Sequence, residues 1–228
     1  AEKTYIAGDD DQAIFKWAGA DVDHFIALKE EVNDIKVLDQ SYRIPGGPIH
    51  ELSQNIINKV QNRFQKEYKP RDEIGILKRY SDITQVDMSK GNWLVLSSAN
   101  YFLDDAKDLC EIQGWYYQYK GMNSVSLKLL LALNNWEAWR KGAFLNQLEI
   151  KNIYEYLGSS VVPGFQKGKT LHSDTKYTIE DCKKDHGLMT SDVWFKSFEG
   201  LDPITETYIR NMRANGEEIN KNPRIKMS

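Results

Sequence analysis

Asp9, Asp10 and Asp11 stand in a row between Gly8 and Gln12, and Phe15 and Trp17 follow within the stretch GDDDQAIFKWAGAD. Adjacent carboxylates on a turn offer hard oxygen ligands to Mg²⁺ or Ca²⁺. The calcium-loop pattern needs a glutamate at its twelfth position, and counting from Asp9 that position is Ala20. On these residues alone a Mg²⁺ site, a nucleotide sensor and a solvated acidic turn all stay open. Gln12 follows a strand end, where α/β proteins place ligand-contacting groups. Phe15 and Trp17 lie near Gly19 and Ala20, with little bulk to bury them. A core role and an exposed stacking role both fit these two rings.

A second group is LDQSYRIP, Leu38 to Pro45. An arginine at a turn after a β-run can reach a phosphate, its fork matched to anionic oxygens. That residue is Arg43, and Tyr42 beside it could stack on a base. A surface arginine and a half-buried tyrosine are the plainer alternative. A third group is basic: Lys59, Arg63, Lys66, Lys69, Arg71, Lys78 and Arg79 outnumber Glu67, Asp72 and Glu73, with Phe64 and Tyr68 interleaved. Such a stretch could follow a nucleic-acid backbone or form a solvated helix end. PGFQKGKT, Pro163 to Thr170, ends like a phosphate-binding loop. That loop needs a glycine where Pro163 stands, and proline has no N–H to offer a phosphate. It reads as a cationic loop between helices.

The totals suit an ordinary globular chain. With 228 residues, 41% of them hydrophobic and 28% charged, it can bury a sizeable core. A net charge of -3 makes the whole chain no cationic nucleic-acid binder, though a local basic groove remains possible. Cys110 and Cys182 are isolated, which argues against a disulfide framework and against zinc. The apolar run LKLLLALNNW is too short to span a bilayer, and AEKTYIAGD lacks the pattern of a signal peptide. The expectation is a soluble, cytoplasmic or nucleoid-associated protein.

Several elements must position these groups. KTYIAGD reads as a strand and DVDHFIALKEEV as a helix; IKVLDQ is a second β-run. After the turn at Pro45 to Pro48, Ile49, Leu52, Ile56, Ile57 and Val60 form one apolar helical stripe. EIGILKRY suggests a strand or edge hairpin. NWLVLSS is a continuous apolar run of the kind buried on both faces. A helix ending at Gly114 and the strand WYYQYK follow it, making a βαβ unit and a parallel sheet. From about Gly121 the pattern turns helical, with four helices, several closed by glycine. NPRIKMS turns β-like again.

Two of these stretches occur together and in order. IAGDDDQAIFKWAGAD followed by LDQSYRIPGGPIHELSQNII closely resembles the UvrD/Rep-type superfamily 1 DNA helicases. The first matches their motif III, G-D-x-D-Q-x-I-Y-x-[FW]-R-G-A, and the second their motif IV, L-x-x-N-Y-R-S before an Ile/Leu-rich helix. NWLVLSSANYFLDDAKDLCEIQGWYY is similar to the next family block. The resemblance is specific over residues 4–62, looser over 92–118 and compositional across the helical region.

The resemblance implies an α/β fold: a RecA-like parallel sheet, the second helicase domain and incomplete, with a mainly helical inserted subdomain. Residues 1–20 would close the first RecA-like domain and 21–120 begin the second. Residues 121–215 would be the helical insertion and 216–228 the return strand. Gln12 matches the glutamine that senses the γ-phosphate, and Arg43 the arginine that reaches it from the second domain. Tyr42 matches a tyrosine near the adenine. Phe15 and Trp17 match aromatics along single-stranded DNA, where stacking is worth about 1–3 kcal/mol per base. Asn100 matches a DNA-backbone contact. The implied cofactors are ATP and Mg²⁺. The implied partners are single-stranded and duplex DNA, and proteins docking on the helical insertion, in replication or repair.

The chain departs from the family at Ala18, where Arg is usual, at Ser41 for Asn and at Ser98 for Arg. These losses suggest a divergent, phage-type member. Walker A, Walker B and motifs V and VI are missing from the sequence. The expectation is therefore an internal piece of an ATP-dependent DNA helicase, inactive as an ATPase alone. A non-catalytic DNA- or protein-binding module is the alternative, and a Mg²⁺-dependent enzyme using Asp9 to Asp11 is a third.

Overall fold

Asp21 starts the first helix by accepting the His24 backbone N–H on Oδ1 at 3.0 Å, a standard use of an aspartate at a helix N-cap. The computed structural model describes residues 4–12, 19, 21–218 and 222–228. These fall into two units, Ala1–Arg79 and Tyr80–Ser228.

In the first unit, α1 (Val22–Ala27) is followed by β1 (Gln40–Gly46), α2 (Pro48–Ile57) and β2 (Lys69–Ile74). Gly47, at φ 70°, makes the sharp turn, and Pro48 opens α2 where its missing N–H costs nothing. β1 and β2 run parallel, so β1–α2–β2 is a βαβ crossover. β1 starts later than IKVLDQ suggests, since only Gln40 of that run is in the strand. Of EIGILKRY only Glu73 and Ile74 belong to β2. Pairing, not β-propensity alone, sets these limits: the ladder begins where Gln40 meets Lys69. The stripe on α2 forms as far as Ile57, with Val60 beyond the helix end. None of it is buried, and Ile56 is 58% exposed. Among the described residues this unit buries no large apolar side chain.

The second unit begins with β3 (Trp93–Val95), α3 (Asp104–Gln113), β4 (Tyr117–Tyr119) and β5 (Met122–Asn123). The helical stretch follows: α4 (Leu127–Arg140), α5 (Gln147–Tyr154), α6 (Ile179–Asp185), the single turn α7 (Trp194–Ser197) and α8 (Pro203–Ala214). A two-residue antiparallel ladder, β6 (Leu145–Asn146) with β7 (Lys176–Tyr177), lies within it. The last strand, β8 (Ile225–Met227), enters the sheet between β3 and β4 and runs parallel to both. NWLVLSS is thus an edge strand. Trp93 and Val95 face the core, while Leu94 and Leu96 are exposed, so the expectation of burial on both faces is corrected.

Side-chain caps fix the helix starts. Ser126 accepts from Leu129 N–H, Asp202 from Ile204 and Thr205, and reciprocal capping boxes join Asn146 with Glu149 and Thr178 with Asp181. Gly114 ends α3 at φ 69°, and a Cβ there would lie 2.5 Å from Asn211, so α3 and α8 approach too closely for any other residue. Trp136, Trp139, Ile150, Ile153, Tyr154 and Ile209 are among the core residues, which all lie in this unit. Cys110 and Cys182 are buried and unpaired. Among the described residues no helix is long and apolar enough to cross a membrane.

This asymmetry has a measurable consequence. Amides of α4 and α8 should resist hydrogen exchange about 10²-fold longer, or more, than those of α2, because protection follows buried packing. Equal protection in the two units, read by NMR or mass spectrometry, would contradict it.

Candidate functional site

The aspartates form a short 3₁₀ turn, Asp10–Gln12, but not a solvated one. The Asp10 and Asp11 side chains are 3% and 8% exposed. The three carboxylates approach within 4.8 Å of one another, a spacing that suits a metal ion. Lys66 fills that place. Its ammonium lies 2.9 Å from Asp9 Oδ1 and 3.1 Å from Asp11 Oδ2, and it bonds Asp10 Oδ1 as well. Arg63 forks onto Asp11, donating from Nε at 2.9 Å and Nη2 at 2.8 Å, while its Nη1 donates to Asn58 Oδ1 at 3.1 Å. The Phe64 backbone N–H donates to Asp10 Oδ2 at 2.6 Å. Both the metal-cage and the solvated-turn readings are replaced by a buried charge cluster.

The electrostatics follow. Burial alone would raise the Asp9 and Asp10 pKa, but hydrogen bonds and charge from Lys66 outweigh it and hold both below the usual carboxylate range. Burial alone would lower Lys66, and the surrounding carboxylates push it well above an ordinary lysine. Asp11 raises Arg63. A lowered carboxyl contributes stability that is complete above its unfolded pKa and lost as pH falls through the folded one. A raised lysine contributes stability that is lost only as pH rises through its folded value. The first unit should therefore hold its β1 and α2 NMR resonances at about pH 4, the ordinary carboxylate value, and lose them only as pH falls below it. Resonances that are insensitive to acid below about pH 4 would show that the cluster adds little.

Two residues of the basic stretch point inward, and Lys59, Lys69, Arg71, Lys78 and Arg79 are exposed. Arg63 and Lys66 turn inward, Lys69 pairs with Asp39 at 2.6 Å and Arg71 with Glu73 at 2.9 Å. Sequence reasoning noted Arg63 and Lys66 without seeing their role. The available signal was their spacing of three residues, facing a run of three acids.

Gln12 is exposed, and its amide donates to Asp9 Oδ2 at 2.5 Å. Arg43 lies exposed on β1, and among the described residues its guanidinium makes no hydrogen bond or ion pair. Ser41, where the resembling family has Asn, accepts backbone N–H groups from Arg43 at 3.3 Å and Ile44 at 3.0 Å and so shapes the backbone around the arginine. Tyr42 is 85% exposed. An exposed guanidinium suits an anionic ligand, and an exposed phenol ring can stack on a base. No hydrogen bond joins Gln12 to Arg43. Phe15, Trp17 and Ala18 lie outside the described residues.

In the second unit, the exposed Asn100 opens a 3₁₀ turn after β3 whose last residue, Leu103, is buried. Tyr101 and Phe102 follow it, also exposed, with ring centroids 4.1 Å apart. PGFQKGKT does not open a helix as a phosphate-binding loop does: after Thr170 the chain runs through β7 before α6 begins at Ile179.

Parallel ladders joined by helical crossovers, with further helices after them, define an α/β protein. No family model and no solved structure matches the chain. Among curated proteins it is similar to the ATP-dependent DNA helicase Rep of Buchnera aphidicola subsp. Baizongia pistaciae (strain Bp), 24% identical over 162 residues. That alignment covers 69% of this chain and 24% of the relative, so the chain spans about a quarter of that protein's length. The relationship is a distant, UvrD/Rep-like one.

Proposed function

We propose that this chain is the part of an ATP-dependent, UvrD/Rep-like DNA helicase that links the nucleotide to the DNA strand. The observation that carries it is the pairing of a motif III-like turn with a motif IV-like strand in one unit. The turn presents an exposed Gln12, and the strand presents an Arg43 with no partner among the described residues.

In this reading the fold is RecA-like, and the boundaries expected from the sequence, 1–20, 21–120, 121–215 and 216–228, mark the pieces of two RecA-like domains and a helical insertion. ATP bound between those domains supplies the phosphoryl transfer that drives movement. Arg43 places its positive charge where charge develops on the γ-phosphate, as an arginine finger does. Tyr42 offers a ring to the adenine. Gln12 reports the nucleotide state along the chain to Phe15 and Trp17, which stack on DNA bases, and Asn100 holds the strand on the second unit. The aspartate turn does not suit the accompanying Mg²⁺, since Lys66 fills it. The apolar side chains exposed on the first unit, Ile56 and Ile76 among them, support a setting within a larger protein.

The test is enzymatic. In the parent protein Arg43→Ala should lower DNA-stimulated ATP hydrolysis by about 10³-fold or more, and unchanged hydrolysis would overturn the assignment. The purified 228-residue chain should show no DNA-stimulated hydrolysis. Turnover by it alone would remove the need for nucleotide machinery elsewhere in the parent.

A further inference from the structure

We infer that Lys66 is a positioning residue for Gln12. The Lys66 ammonium donates to Asp9 Oδ1 and Asp10 Oδ1, and it lies 3.1 Å from Asp11 Oδ2 as an ion pair. Lys66 therefore engages one oxygen of Asp9 and leaves the other, Oδ2, to the Gln12 amide at 2.5 Å and the Tyr68 hydroxyl at 3.4 Å. Together with the Asp11 backbone N–H, which donates to the same Oδ1 at 3.2 Å, the tie fixes which way the Asp9 carboxylate turns, and the carboxylate fixes where the exposed Gln12 side chain sits. A guanidinium could not replace it, because its planar fork matches one carboxylate rather than three converging ones.

Lys66 also precedes β2, which runs parallel beside β1, the strand that carries Arg43. One lysine thus connects the Gln12 turn to the strand pair that bears Arg43. The geometric tie stands on the contacts alone. Its consequence, that Lys66 sets the spacing of the two groups meeting the γ-phosphate, rests on the proposed function.

The experiment is NMR on the 228-residue chain, with the Gln12 side-chain amide assigned through Gln12→Ala. In the unsubstituted chain the Gln12 Nε2 protons should resonate away from the position of a free glutamine. The double variant Lys66→Met with Asp10→Asn removes one charge of each sign and leaves the Arg63–Asp11 fork in place. In it the Gln12 amide should return to the free position while β1 and α2 backbone resonances persist. A Gln12 amide unmoved between the two proteins, or free already in the unsubstituted chain, overturns the inference. Should the double variant lose the β1 and α2 resonances, Lys66→Arg decides: it keeps the charge, its planar fork cannot meet the converging carboxylates as the ammonium does, and the Gln12 amide must still move. Single-stranded DNA binding by the same samples bears on the proposed function alone, so a failure there is distinguishable from a failure of the tie.

Discussion

Trp139→Ala should destabilise the second unit by about 3–5 kcal/mol, the range for deleting a large buried aromatic side chain. Trp139 is fully buried on α4. Its ring meets Trp136 edge-on at 6.1 Å and Tyr154 at 6.5 Å. Its Nε1 donates to the Tyr177 carbonyl at 3.0 Å, which ties α4 to β7. The alanine variant would lose the transfer energy, open a cavity among residues from several helices and orphan a buried carbonyl. Domains of this size hold only about 5–15 kcal/mol in total, so the loss is a large fraction. Leu148→Ala is the control. That side chain is 76% exposed on α5, and the change should stay within about 0.5 kcal/mol. Denaturant unfolding of both variants, followed by far-ultraviolet circular dichroism, checks the pair. Similar midpoints would show that the tryptophan cluster is not the centre of this core.

Much of the second unit is legible in its sequence because its signals are local. Ser126, Asn146 with Glu149, Thr178 with Asp181, and Asp202 each announce a helix start within four residues. Gly114 announces the end of α3. The turn α7 is too short to carry a period. The terminal β-like residues are visible as a strand, but their seat between β3 and β4 is a non-local fact that no window contains. NWLVLSS shows the same limit. Its apolar run indicates a strand without saying that the strand lies at an edge.

The first unit is harder to read, because what organises it is charge paired across the chain. Arg63 and Asp11 are 52 residues apart, and Lys66 lies 56 from Asp10. A sequence shows two runs of opposite charge and cannot say whether they face water or one another. Of the candidate site, Gln12, Tyr42 and Arg43 are exposed. What the sequence hides is that Gln12 is held by Asp9, and Asp9 by Lys66.

Arg63→Met should disorder the first unit while leaving the second intact. The Arg63 side chain is 2% exposed and satisfies both oxygens of Asp11, itself 8% exposed. Removing it leaves a buried carboxylate with Lys66 as its remaining ion-pair partner, and breaking such a pair from one side costs about 3–5 kcal/mol. A unit with no large apolar side chain buried among its described residues has little reserve against that loss. Arg63→Lys should recover part of the stability, because a point charge cannot reproduce the fork. The decisive variant is the double one, Arg63→Met with Asp11→Leu. It removes both charges together and replaces them with apolar groups, a change often neutral or stabilising for buried pairs. If the cluster acts as a pair, the double variant will hold its β1 and α2 NMR resonances better than Arg63→Met does, a coupling that additive effects cannot produce. If both variants lose those resonances equally, Arg63 acts instead through its bond to Asn58, which anchors the end of α2.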